Sequence, residues 1–135
     1  TPTDIGYTGM EFAPDFTWIK DRDANYAHQL YDTVRGATEK LHSNTTAAEA
    51  TDSTGLTSFD SNGFTISTNV GVNTNNNDYV AWNWKASATT VTNTDGTTGN
   101  NDGRGTAVDS QVRANQTSGF SIAKFTLPSD GTANY

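Results

Sequence analysis

The chain has 135 residues, a formal net charge of −7 and no cysteine. One domain is the default at this length. The acidic balance excludes a nucleic-acid surface, which needs clustered Lys and Arg, and adhesion to anionic membranes. The lack of cysteine excludes a disulfide framework and fits folding in a bacterial cytoplasm, virus assembly there included.

Thr, Ser, Asn and Gly account for 60 of the residues. Their side chains compete for backbone hydrogen bonds or, in Gly, leave the backbone loose, so they favour turns and strand edges over helices. The 30 large apolar and aromatic side chains suffice for one thin core, of the kind that two packed sheets enclose. The expected class is all-β, an antiparallel β-sandwich. No apolar run approaches the roughly 18 residues of a membrane span. The chain opens on Thr1 without a signal-peptide pattern or an initiating methionine, as a processed or excerpted chain would.

In chain order, "DFTWIK" (residues 15–20) follows Pro14 and alternates Phe16 and Trp18 against Thr17 and Ile19, a strand signature. "HQLYDTVR" (28–35) alternates through Leu30 and Val34 and reads as the next strand, with a short helix at most over 38–41. "LTSFD" and "GFTIS" flank Ser61-Asn62-Gly63 and carry Phe59, Phe64 and Ile66; Asn-Gly is the strongest short-range hairpin signal. "YVAWNWK" (79–85) sets Val80, Trp82 and Trp84 on one face, the expected centre of the core. The predicted core is therefore Phe16, Trp18, Leu30, Phe59, Phe64, Ile66, Val80, Trp82 and Trp84.

Residues 86–119 hold only three large apolar side chains, Val91, Val108 and Val112, too few to offset the entropy of ordering that stretch. The expected organisation is a β-sandwich unit over 1–86, a polar linker or surface excursion over 87–116, and a strand within 117–135 that completes the sandwich or begins a second unit. "SNGFTIST" (61–68) and "TSGFSIAK" (117–124) echo each other, which favours the second unit.

Four constellations invite chemistry. Between Trp18 and Gly36, Lys20, Arg22 and Arg35 mingle with Asp21, Asp23, Asp32 and His28. A His–Asp general base is one reading, and charges paired across a hairpin ladder are the simpler one. Retaining glycoside hydrolysis needs two carboxyls about 5 Å apart, supplied in sandwich-fold glucanases by an "ExDxE" strand, but Glu11, Glu39 and Glu49 form no such motif. "TDGTTGNNDGRG" (94–105) and "NTNNNDY" (73–79) are acceptor-rich but lack calcium-loop spacing and its distal Glu. Neither a metal nor another cofactor is called for. Sugar binding would use Trp18, Trp82 and Trp84 with Asn75, Asn76, Asn77 and Asp78 as ligand contacts, although alternating Trp in a strand is more often core. No catalytic residues are identified.

The segments "FAPDFTWIKDR", "HQLYDTVRGATEKLHSNTTAAEA", "GLTSFDSNGFTISTNVGVNTNNNDYVAWNWKA" and "ANQTSGFSIAKFT" together resemble a domain recurrent in tail-fibre and appendage proteins of marine tailed bacteriophages. That domain is usually described as a concanavalin A-like (lectin/glucanase-type) β-sandwich. The resemblance spans about residues 5–86 and 115–126. It implies a jelly-roll sandwich and a virion structural protein, a module of a tail fibre or appendage that takes part in host-surface recognition and is assembled in the bacterial cytoplasm. The implied partners are other virion proteins, further copies of the chain (a trimer by preference) and a host-surface glycan, with neither nucleic acid nor membrane. The alternatives are a capsid decoration protein or head fibre, and a carbohydrate-binding module of a secreted bacterial protein. The family brings no catalytic residue to carry over, and fold does not imply function.

Overall fold

The structure, a computed structural model, describes residues 3–93 and 109–126. These form strands β1 (Ile5–Tyr7), β2 (Phe16–Asp21), β3 (Gln29–Asp32), β4 (Gly36–Leu41), β5 (Ala50–Thr51), β6 (Leu56–Asp60), β7 (Gly63–Ile66), β8 (Tyr79–Trp84), β9 (Val91–Asn93), β10 (Ser110–Asn115) and β11 (Phe120–Phe125), and no helix. Three antiparallel sheets result, ordered β1-β7-β6, β5-β4-β3-β2-β8 and β11-β10-β9.

The first two sheets face each other in a sandwich-like arrangement. Their shared core is Ile19 from β2, Tyr31 from β3, Leu56 from β6, Phe64 and Ile66 from β7, and Val72 from the following loop, with Met10, Ala37, Phe59 and Tyr79 packed around them. Burial on β2 alternates strictly, with Thr17, Ile19 and Asp21 inward. The core therefore forms on the face opposite to Phe16 and Trp18. Phe64 and Ile66 are buried as expected. Phe16, Trp18, Leu30, Phe59 and Val80 are half-buried, and Trp82 and Trp84 are 45% and 36% exposed. The expected core centre on β8 is thus wrong, because both faces of the β2–β8 ladder carry apolar side chains and only the partner sheet decides which face is covered.

The hairpin at Ser61-Asn62-Gly63 is present, with Asp60 opposite Gly63. Its chemistry differs from the expectation. Neither Ser61 nor Asn62 has a positive φ, so it is not the mirror-image turn that Asn-Gly favours. Gly63 is required by crowding instead: a Cβ there would lie 1.6 Å from the Tyr7 carbonyl oxygen of β1. The strand expected over 28–35 ends at Asp32. Its carboxylate oxygen Oδ1 accepts the backbone N–H groups of Val34 and Arg35 at 3.0 and 2.9 Å, an Asx turn that reverses the chain. Residues 38–41, read as a short helix at most, belong to β4, where pairing with β3 and β5 outweighs local propensity.

The stretch expected to be a polar linker contributes β9 and β10, and β10 pairs along its whole length with β11. The third sheet lies against the outer face of the five-stranded sheet. Arg113 Nη1 reaches Asp15 Oδ1 at 2.7 Å, Ser118 Oγ donates to Lys85 O at 3.2 Å, and the Phe120 ring sits 6.0 Å from Phe16 and 5.9 Å from Trp84. The acceptor-rich run 94–105 lies outside the described residues.

Candidate functional site

Outward alternation on β2 presents Phe16, Trp18 and Lys20, and the antiparallel register sets Trp84, Trp82 and Val80 beside them. The result is a row of two aromatic pairs. Trp18 and Trp82 meet edge to face at 5.6 Å, Phe16 and Trp84 do so at 5.4 Å, and Phe120 stacks on Trp84 at an interplanar angle of 19°. Such pairs contribute roughly 0.5–1.5 kcal/mol each beyond their area burial. They hold the rings in place while leaving Trp82 and Trp84 open to solvent. At one end β11 walls the face, leaving a groove of about 330 Å³ between Asp32, Arg35 and Leu41 on one side and Ile122 to Phe125 on the other.

His28 joins this row rather than a carboxylate. The Trp18 indole Nε1–H donates to His28 Nδ1 at 2.7 Å and the rings lie 5.5 Å apart. An indole nitrogen can only donate, so Nδ1 accepts and the imidazole in this arrangement is the neutral tautomer protonated at Nε2. Its backbone is fixed by Asn44 Oδ1 and by His42 Nδ1. Among the described residues, the His–Asp general-base reading therefore finds no carboxylate partner for His28.

The aspartates of the same charged segment serve architecture. Asp21 is fully buried, and its Oδ1 accepts the N–H groups of Asp23 and Ala24 at 2.8 and 2.9 Å while Oδ2 accepts Asn77 Nδ2 at 2.8 Å. Burial pushes its pKa up, but these hydrogen bonds to the charged form outweigh it and hold the carboxyl below its ordinary value. The half-buried Lys20 donates to the Asp21 and Ala24 carbonyls, so its ammonium closes over the same turn. Asp15 accepts Ala86 N, Thr33 Oγ1 and Arg113 Nη1. Asp32 and Glu49 bracket the Arg35 guanidinium at 2.5 and 3.0 Å. Each buried carboxylate is satisfied, as a charge withdrawn from water must be.

The loop offered as a ligand site divides in two. Asn77 is spent on Asp21, and Asp78 is tied to the turn after β2 through its N–H to Asp23 Oδ2 at 2.5 Å and an exposed ion pair with Arg22 at 3.7 Å. Asn75 and Asn76 are exposed, and Asn76 adopts the left-handed backbone at φ 64°, a conformation that Asn tolerates well. Nearby, burial raises the pKa of the Tyr79 hydroxyl, which accepts the Thr74 N–H and donates to Val70 O. Among the described residues no three His, Asp or Glu side chains cluster as metal ligands.

Two features went unseen in the sequence. One is the Lys40–Asp52 pair at 2.8 Å, with Asn69 Nδ2 a further 2.7 Å donor to the same carboxylate; nothing in the spacing of 40, 52 and 69 announces it. The other is the openness of the aromatic row. The only available signal was that the opposite face of β2 also carries an apolar residue, Ile19.

No curated protein and no solved structure matches the chain. One family model does, across residues 1–134, and its description is a domain of unknown function, DUF7483. The match takes in the sandwich, the aromatic row and the third sheet together, and the chain belongs to the DUF7483 family.

Proposed function

We propose that the chain is a non-enzymatic structural module of a tailed-bacteriophage appendage, a concanavalin A-like jelly-roll sandwich whose outer aromatic face recognises a host-surface glycan. The single observation that supports this reading is the row of two ring pairs, Phe16 with Trp84 and Trp18 with Trp82, ordered by ring contacts yet leaving Trp82 and Trp84 45% and 36% exposed. An exposed, pre-ordered row of aromatic rings costs little entropy to engage and suits the apolar face of a sugar ring. The family resemblance in the sequence supplies the virion context. Two measurements test the reading. Labelled antibody against the chain is expected to decorate tail appendages on intact particles; decoration of the head would favour a capsid decoration protein or head fibre instead. On a glycan array the chain is expected to bind, and Trp82→Ala, folded by circular dichroism, is expected to lose that binding. Binding to no glycan at all would remove the recognition role.

The same exposed tryptophans also favour a second reading, a carbohydrate-binding module of a secreted bacterial protein. Glycan binding together with a hydrolase domain elsewhere in the full-length polypeptide would select it.

A further inference from the structure

We propose that β8 is a self-pairing edge: two copies of the chain join antiparallel along Tyr79–Trp84, two-fold symmetric about Trp82, so that two five-stranded sheets become one continuous sheet.

β8 ends the sheet order, and among the described residues no strand pairs with its outer side. The phase of its free groups follows from the ladder. Just past the strand ends, the Arg22 N–H donates to Asp78 O at 2.8 Å. Hydrogen-bonded and non-hydrogen-bonded pairs alternate from there, so Val80, Trp82 and Trp84 spend their backbone groups on β2. Tyr79, Ala81 and Asn83 therefore aim theirs outward. Among the described residues the one side chain that covers them is Asn83 Nδ2, which reaches Ala81 O at 3.5 Å. Edges are ordinarily blunted by shortness, proline, charge or a bulge. The opposite edge, β5, is two residues long. β8 runs six residues without proline or charge and without a register shift against β2.

The sequence of the edge selects a second copy as the occupant. Side chains directly opposed across a ladder share a face, so a two-fold axis normal to the sheet must pass through a residue paired with itself. Centring on Trp82 sets the two indoles in a close, non-hydrogen-bonded pair. It places Val80 against Trp84, and it lets Ala81 and Asn83 exchange their outward hydrogen bonds. Both exposed tryptophans of β8 then gain a partner. The strand itself is neutral, and the charges that bound it are engaged within the chain, Asp78 by Arg22 at 3.7 Å and Lys85 Nζ by the Ala13 carbonyl at 3.1 Å, so neither opposes the approach of a second copy. In a chain of net charge −7, this neutral strip is where two copies approach with least repulsion. The contact engages the β8 rings as well as the backbone edge, so Ala81→Lys, which keeps every ring, separates failure of the dimer from failure of glycan recognition.

Sedimentation equilibrium of the full chain is expected to show the mass rising with concentration to twice the 14.4 kDa of one chain. Ala81→Lys, which places a charge on the seam, is expected to be folded and monomeric. Trp82→Cys introduces a cysteine into a chain that has none. Because non-hydrogen-bonded partners sit about 4.5 Å apart at Cα, inside the roughly 4.4–6.8 Å of a disulfide, mild oxidation is expected to yield a reducible dimer. Phe125→Cys, on a side chain 59% exposed away from β8, is expected to remain uncrosslinked. A monomer at every concentration overturns the proposal, as does a trimeric mass, an Ala81→Lys variant that still dimerises, or crosslinking through Cys at 125 as efficient as at 82.

Discussion

Asp52→Asn isolates one electrostatic contribution to stability and gives it a pH signature. Asp52 accepts Lys40 Nζ at 2.8 Å, Asn69 Nδ2 at 2.7 Å, and both the N–H and the hydroxyl of Thr54 at 2.9 and 2.6 Å. The two ion-pair partners are well covered, with 17% and 11% of their side-chain surface exposed. Burial alone would raise the carboxyl pKa, but the hydrogen bonds and the Lys40 charge win and lower it from 3.8 to about 2. At about 1.36 kcal/mol per pKa unit, that difference is worth roughly 2 kcal/mol of folding stability at neutral pH. Because the folded pKa is depressed, the contribution is complete above pH 4 and is lost as the pH falls through about 2. Urea denaturation of wild type and Asp52→Asn is therefore expected to show a gap of roughly 2 kcal/mol at pH 7 that largely closes by pH 2. A gap of equal size at both pH values would refute the reasoning, since it would mean that the variant disturbs packing and not a charge.

Core position outranks side-chain size: Leu56→Ala at a fully buried site is expected to cost about 2–5 kcal/mol, and Trp82→Ala, though it removes a larger group, is expected to cost less in the same urea titration. Tyr31 and Gly55 are coupled. A Cβ at position 55 would come 2.2 Å from the Tyr31 hydroxyl, which is buried without a hydrogen-bond partner. Gly55→Ala is expected to destabilise by about 1–3 kcal/mol, and Tyr31→Phe to be close to neutral because it removes an unpaired polar group. Adding Tyr31→Phe to Gly55→Ala is expected to recover much of the loss, a non-additivity that a thermal double-mutant cycle measures. Arg113→Ala removes the 2.7 Å ion pair to Asp15 and is expected to raise hydrogen exchange in β10 and β11 while leaving β6 and β7 protected.

The all-β class, the antiparallel pairing, the turn between β6 and β7, and the existence of β2, β8 and β11 were legible in the chain. Alternation, turn residues and the scarcity of helix formers act locally, and no tertiary context reversed them there. The break at Asp32 was not read. Its signal was present, since Asp followed by Thr-Val-Arg-Gly is a plausible Asx turn, but the run of alternating residues on either side masked it. β4, β9 and β10 were missed because their pairing partners, rather than their own composition, make them strands.

What the sequence determined by itself is the period of two on each strand and hence which residues share a face. What only the tertiary structure decided is which face is covered. On β2 the choice lay between Phe16 with Trp18 and Ile19 with Thr17 and Asp21, and hydrophobicity alone favours the aromatics. The observed choice follows from what each face meets. The β1-β7-β6 sheet brings Leu56, Phe64 and Ile66 against Ile19 and Tyr31, and the turn after β2 needs the inward Asp21 carboxylate for its backbone N–H groups. The first requirement joins strands far apart in the chain, which no local pattern encodes, while the second is a local turn closed within three residues; the aromatic row is left outside as their joint consequence.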